Sequence, residues 1–201
     1  ALKDLGQLDS AVKNFEQALA IKPDFADACN NLGLVLQNLR RLDAAVKCYE
    51  QALAIKPDYA EAHINLGNAL KDLGQLGAAV KSYAEALDIK PDYAEAHNNL
   101  GNAFMNLGRL DAAVKSYEQA IEIKPDYAEA HNNLGNALRE LGQLDAGVKS
   151  LKKALAIKPD YAQARNNLGV SFQERSQVDD AVKQYEKAIA IKPDYASAHH
   201  N

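Results

Sequence analysis

Nothing in these 201 residues supplies the raw material of a disulfide framework, a membrane span or a polyanion-binding face. Two cysteines, Cys29 and Cys48, are too few and too irregularly placed for a stapled fold or for a zinc site built from paired Cys-x-x-Cys elements. As ordinary reduced thiols they fit a reducing compartment, and a cytoplasmic location is the expectation. No apolar run approaches the roughly 20 residues that a membrane-spanning helix requires. Lys and Arg number 23 against 27 Asp and Glu, a formal charge of −4. Without an excess of cations to neutralise phosphates, neither nucleic acid nor an anionic membrane is an expected partner. The glycines form no phosphate-cradling GxGxxG or GxxxxGK[ST] loop, so no nucleotide is expected and no cofactor of any kind is implied. What remains is 47% hydrophobic and 25% charged, the balance of a folded, water-soluble chain with a substantial core.

The prominent positive feature is a period. Pro23, Pro57, Pro91, Pro125, Pro159 and Pro193 recur every 34 residues. Starting each unit after the P-D-Y or P-D-F triplet divides the chain into full units 26–59, 60–93, 94–127, 128–161 and 162–195, with partial units 1–25 and 196–201. Within a unit, Ala96, His97, Leu100, Gly101 and Phe104 fall at three- and four-residue spacing, the stripe of an amphipathic helix, here called helix A. After a turn at Gly108 the pattern resumes through Ala113, Val114, Tyr117, Ala120 and Ile121 as helix B. Asp58 with Glu61, Asp92 with Glu95 and Asp126 with Glu129 have the spacing of capping boxes for helix A, and Asp111, Asp145 and Asp179 are candidate caps for helix B. Lys-Pro pairs then place a cation at the negative end of helix B and a residue that stops it. The expected fold is all-α, a single array of stacked antiparallel helical hairpins.

Gly33, Gly67, Gly101, Gly135 and Gly169 recur inside helix A, where glycine costs about 1 kcal/mol relative to alanine. Their persistence predicts a close helix contact, with Ala45, Ala79 and Ala113 of helix B as the expected counterparts.

N-L-G at the sixth to eighth positions of the unit, a small residue at the twentieth, Ala at the twenty-seventh, an aromatic at the twenty-fourth and Pro at the thirty-second resemble the tetratricopeptide repeat over essentially the whole chain. Departures are local. The family's frequent Trp at the fourth position is Cys29, His63, His97, His131 or Arg165, one aromatic is Leu151 with Gly147 beside it, and Arg175-Ser176 replaces a Leu-Gly turn, which predicts less regular packing there. The resemblance implies an α–α superhelix whose A helices line a concave groove that binds a protein or peptide, and no enzymatic activity.

On helix A, the second, fifth, ninth, twelfth and thirteenth positions are expected to face that groove. They include Asn30, Asn98, Asn132 and Asn166, the outward Asn68, Asn102 and Asn136, and the carboxylates Glu61, Glu95 and Glu129. Across the full units these positions carry seven acidic residues against the cations Lys71 and Arg139, so a neutral or basic extended segment is the expected ligand. An asparagine amide donates to a peptide carbonyl and accepts from a peptide N–H at once, a contact blind to side-chain identity. The sixth-position row Asn31, Asn65, Asn99, Asn133, Asn167 and Asn201 is similar to the asparagine ladder in the repeat domain of O-linked N-acetylglucosamine transferases, although bonding within or between hairpins is the competing role. Chaperone-binding relatives clamp a carboxylate with cations at the second and fifth positions. Carboxylates at the second position here (Asp27, Glu61, Glu95, Glu129) would repel such a tail.

His63, His97 and His131 occupy equivalent places in successive units, and helices about 8–10 Å apart keep them from converging on one metal. They read as helix-packing residues, and no metal site is expected; His199-His200 reads as drift of the repeat. Catalysis needs unlike groups brought together, whereas this array repeats like ones, and Ser82, Ser116 and Ser150 lack a histidine partner. Tyr59, Tyr93, Tyr127 and Tyr161 are expected to staple one hairpin to the next. Because the sequence starts and stops inside a unit, it reads as an excerpt. Two further readings follow: a recognition module of a larger enzyme such as a glycosyltransferase, and an assembling or engineered array that associates head to tail.

Overall fold

The computed structural model describes residues 2–194 and Ala198, with side chains from Gln7 onward. The expected Asn201, His199 and His200 and the closing Tyr195 of the fifth unit lie outside the described residues. Among those described, the secondary structure is eleven α-helices and no strand. They are α1 Leu2–Ile21, α2 Ala26–Asn38, α3 Leu42–Ile55, α4 Ala60–Asp72, α5 Leu76–Ile89, α6 Ala94–Asn106, α7 Leu110–Ile123, α8 Ala128–Glu140, α9 Leu144–Ile157, α10 Ala162–Glu174 and α11 Val178–Ile191. None is long and apolar enough to cross a membrane.

The chain forms two compact units, residues 1–103 and 104–201. In the first, α1 packs on α2, α2 pairs with α3, α3 leans on α4, and α4 pairs with α5. In the second, α7 packs on α8, α8 pairs with α9, α9 meets α10, and α10 pairs with α11. Even-numbered helices are the A helices and also touch one another directly, α2 with α4 and α8 with α10.

Each A helix ends in the same hydrogen-bonded stop. Gly74 N–H donates to Lys71 O at 2.9 Å and Gln75 N–H to Leu70 O at 2.8 Å, the double bond pattern of a Schellman cap. The cap requires a left-handed residue, which Gly74, Gly108 and Gly142 supply at φ 70–76°. Arg40 and Ser176 adopt φ 59° at the equivalent places, so the Arg175-Ser176 departure keeps the turn and carries steric strain instead.

The expected aspartate caps are not made at α4, α7, α8, α9 and α11. Lys56, Pro57, Asp58 and Tyr59 form a turn closed by Tyr59 N–H to Lys56 O at 3.2 Å, with proline where its fixed φ suits the bend. Asp58 therefore sits inside the turn, and Tyr59 (φ −88°, ψ 84°) becomes the N-cap without a side-chain bond. Tyr127 and Tyr161 do the same. Asp111, Asp145 and Asp179 lie within the first turns of α7, α9 and α11, where a carboxylate complements the helix dipole, and the N-caps are Arg109, Gln143 and Gln177.

The helix glycines do mark close contacts, but with a different partner from the one expected. A Cβ built on Gly33 would lie 2.5 Å from the Tyr49 ring, and one on Gly67 would lie 2.6 Å from that of Tyr83. The same position in α10 abuts Tyr185. The twenty-fourth-position aromatic, not the twentieth-position alanine, occupies the space. Tyr49, Tyr83 and Tyr117 are almost wholly buried, and a ring of this size contributes roughly 2–3 kcal/mol by leaving water.

Candidate peptide-binding face

The tyrosine rings reach through the hairpin and present their hydroxyls to the exposed side of the A helices. Tyr49 OH donates to Gln37 Oε1 at 3.0 Å, Tyr83 OH to Asn68 Oδ1 at 2.7 Å, and Tyr185 OH to Gln173 Oε1 at 2.8 Å. Burial pushes the phenols of Tyr83, Tyr117 and Tyr185 up, and the nearby carboxylates of Asp72, Glu140 and Glu174 push them further. They remain neutral donors, which fixes the orientation of the groove residues they hold.

Helix A packs against its own helix B and against the next helix A. The buried stripe is therefore wider than a single partner would make it, and it takes in the fifth position. Asn30, Asn98, Asn132 and Asn166 are only 1–6% exposed, and Ile64 is buried with them. The expectation that this position faces an open groove is corrected: all four asparagines are buried, and Asn30 and Asn132 sit between adjacent A helices. Asn65 Nδ2 donates to Asn30 Oδ1 at 2.9 Å, and Asn167 Nδ2 donates to Asn132 Oδ1 at 3.0 Å. Where Ile64 removes the acceptor, Asn99 Nδ2 reaches one turn further to Asn68 Oδ1 at 3.2 Å. The sixth-position row is thus partly spent on joining neighbouring A helices. Asn65, Asn99, Asn133 and Asn167 are half-buried, whereas Asn31 is exposed.

Asn68, Asn102 and Asn136 are half-buried, and Glu61, Glu95 and Glu129 are exposed. In the first unit, Leu34, Gln37, Asn38, Arg40, Asn65, Asn68 and Asp72 line a cavity of about 350 Å³ between α2 and α4. Leu34, 38% exposed, gives it an apolar floor. Gln37 Nε2 spans it loosely to Asp72 at 3.5 Å. In the second unit the same crossing is an ion pair, Arg139 to Glu174 at 2.6 Å, and Arg139 also donates to Asn136 Oδ1 at 2.9 Å.

Asp27, one of the groove carboxylates, is engaged by the next hairpin. The Tyr59 hydroxyl hydrogen-bonds Asp27 and Asn30, and its pKa is pushed up to about 12, first by burial and then by the Asp27 hydrogen bond and charge. Tyr59, the N-cap of α4, thereby ties the start of the α4–α5 hairpin to α2, the stapling expected of it, while Lys56 lies 4.6 Å over its ring. Burial, then the charges of Glu95 and Glu61, likewise raises Tyr93.

The fourth-position residues have a specific task that the sequence reading missed. His63, His97 and His131 Nε2 sit 3.0, 3.0 and 2.9 Å from the carbonyls of Pro57, Pro91 and Pro125. Because a carbonyl only accepts, Nε2 carries the proton. Arg165 donates to Pro159 O at 2.8 Å in the same way. The signal was present as a constant six-residue offset between each proline and a side-chain donor. His63 Nδ1 also lies 3.2 Å from Glu85 Oε2, without the alignment of a hydrogen bond. Among the described residues no group of His, Cys, Asp and Glu is arranged to hold a metal.

Helical hairpins repeated in this manner define an α–α superhelix of the solenoid class. A family model described as TPR repeat matches residues 1–39, 41–74, 67–108, 101–138, 135–176 and 171–201, and a second, described as tetratricopeptide repeat, matches 25–56. The chain belongs to the tetratricopeptide-repeat family. No curated protein matches it significantly. Among solved structures it resembles a thermophilic TPR protein of Thermus thermophilus at 27% identity and TM-score 0.73, covering 88% of this chain and 96% of that one. It also resembles YrrB, described as a TPR protein with an unusual peptide-binding site, at 24% identity and TM-score 0.71, covering 92% and 96%. Pseudomonas aeruginosa PilF shares the fold at 18% identity and TM-score 0.82, covering 98% and 90%.

Proposed function

We propose that this protein is a non-catalytic interaction scaffold, one continuous array of repeats, whose A-helix face holds an extended, neutral or basic peptide segment. The observation that carries this reading is the cavity of about 350 Å³ between α2 and α4. It combines one exposed leucine with amides held in fixed orientations by Tyr49 and Tyr83. An extended peptide brings an unpaired N–H and C=O at every residue, and preoriented amides answer both without ordering cost at the moment of binding. In the first unit Asn65 and Asn68 make these contacts, with Asn31, Asn99 and Asn102 on the same face. In the second unit Asn133, Asn136 and Asn167 are the equivalents. The interior Asn30, Asn98, Asn132 and Asn166 act as positioning residues that hold the contact row. Exposed Glu61, Glu95 and Glu129 favour cationic side chains along the bound segment and disfavour acidic tails. The peptide-binding description of YrrB supports the same class of ligand.

An array of extended peptides, neutral, basic and acidic, screened with wild type beside Leu34→Arg tests the proposal. Leu34 is exposed, so the variant fills the cavity without touching the core. Capture of neutral or basic peptides by wild type, weakened at least tenfold in Leu34→Arg, is expected. Submicromolar affinity for acidic tails, or capture indifferent to the substitution, contradicts it.

A further inference from the structure

The second unit carries another concavity, on its B-helix side. Between α7 and α9, over His131, Leu134 and Leu138 of α8, lies an open trough of about 830 Å³. Its floor is Ile121, Leu134, Leu138 and Ala146. His131, which also lines it, has already committed Nε2 to the Pro125 carbonyl. The trough is walled by Glu118 and Glu122 of α7 on one side and by Lys149, Lys152 and Lys153 of α9 on the other. All five wall residues are exposed. No ion pair joins the two walls among the described residues.

The sequence gives this surface to one hairpin. The equivalents of Lys152, Lys153 and Ala156 in α5 are Ala84, Glu85 and Asp88, and Glu85 there is engaged with Lys81 at 3.7 Å. The adjacent pair Lys152-Lys153 is peculiar to α9, since α11 keeps Lys183 and Lys187 but has Glu186 between them. So is the shorter Leu151, where the equivalent helices carry Phe15, Tyr49, Tyr83, Tyr117 and Tyr185.

We propose that this trough is a second docking site, distinct from the A-helix face, for an amphipathic helix of a partner protein whose apolar stripe is flanked by basic residues on one side and acidic residues on the other. Two arguments select that occupant. First, an apolar floor offers nothing to the unpaired backbone of an extended chain, whereas a helix satisfies its own backbone and needs only somewhere to bury its stripe. Gln143, Ala146, Ser150 and Lys153 follow one another at helical spacing along the trough. Between its first and last lining residues α9 rises about 20 Å at 1.5 Å per residue, room for a guest helix of about four turns. Second, opposed walls of opposite charge complement a guest with opposed charged flanks and disfavour one whose flanks share a sign. The same walls fix the direction in which the guest lies, because reversing it brings like charges together.

The test uses the whole chain and three designed helical peptides of about four turns with one common leucine stripe. One has a lysine flank and a glutamate flank, one has lysine on both, and one has glutamate on both. Binding is followed by fluorescence anisotropy at moderate salt. Wild type is expected to bind the mixed peptide at least tenfold more tightly than either of the others. Lys149→Glu/Lys153→Glu makes the lysine wall acidic on balance, with Lys152 as its remaining cation, and should transfer the preference to the all-lysine peptide. Ala146→Arg, an exposed substitution that obstructs the floor, should abolish binding of all three. Circular dichroism confirms that each variant keeps its helicity. No binding by wild type, or a ranking of peptides unchanged in Lys149→Glu/Lys153→Glu, overturns the proposal. These peptides do not probe the α2–α4 cavity, so Leu34→Arg should leave their binding unchanged. Loss in that variant also counts against a separate site.

Discussion

The α4–α5 hairpin and the α8–α9 hairpin are built from nearly the same sequence yet solve one problem differently. In the first, Tyr83 fills the space above Gly67 and anchors Asn68 through its hydroxyl. In the second, Leu151 has no hydroxyl, and Arg139 takes over the groove residue, donating to Asn136 while pairing with Glu174. With the ring gone, a Cβ on Gly147 would stand 2.8 Å from the Gly135 carbonyl, so two glycines face each other and the backbones come together. Two core differences, Leu151 for Tyr83 and Gly147 for Ala79, thus go with a different anchoring of the groove and with the facing glycine backbones of α8 and α9. The lesson is that in a repeat protein a core position sets the surface on both sides of its hairpin.

The comparison can be broken most severely at its centre. Tyr83→Ala should cost about 3–5 kcal/mol, as truncation of a buried aromatic does, and should release Asn68 as well. Chemical denaturation should show this loss, and Leu151→Ala should cost less because it leaves a smaller void and frees no hydrogen-bond acceptor. Equal losses would mean that the hydroxyl anchor contributes nothing.

Gly147→Ala comes next. Alanine is the better helix former by about 1 kcal/mol, and the equivalent residue elsewhere is Ala79 or Ala113. Here it meets backbone that cannot yield, so overpacking of about 1–3 kcal/mol should prevail and lower the denaturation midpoint. Adding Leu151→Tyr should recover part of the loss by restoring the Tyr-with-Ala pairing that the α4–α5 hairpin has at Tyr83 and Ala79. A stabilising Gly147→Ala would refute the close approach.

Ser176→Gly is smaller and of opposite sign. Removing a Cβ from a residue at φ 59° should stabilise by about 1 kcal/mol, visible as a raised midpoint, whereas Gly142→Ala should do the reverse. Least of all, a double-mutant cycle on Arg139 and Glu174 should return about 0.5–1 kcal/mol, because the side chains are 20% and 38% exposed and water screens the pair.

Much of this was legible in the sequence. The 34-residue spacing of proline fixed the unit, and apolar periodicity gave both helices and their pairing. The helix glycines announced a close contact, but period alone could not say whether the alanine at the twentieth position or the aromatic at the twenty-fourth filled the gap. The aspartate caps were misread because Pro57 and Asp58 are consumed by a turn, leaving Tyr59 at the helix start. The burial of Asn30 and Asn132 was invisible for another reason: one helix pattern records how wide the buried stripe is only when its second neighbour is known. The paired Lys152-Lys153 was visible as a departure from the other units, but its meaning required Glu118 and Glu122 across the trough.

The central claim, that the A-helix face is the working surface, is tested most directly by mapping a bound neutral or basic extended peptide through backbone amide chemical shifts of the labelled protein. The account predicts the largest changes at Leu34, Asn65, Asn68 and Asp72, around the α2–α4 cavity. Changes confined to helix-B residues, or none at saturating peptide, would contradict it.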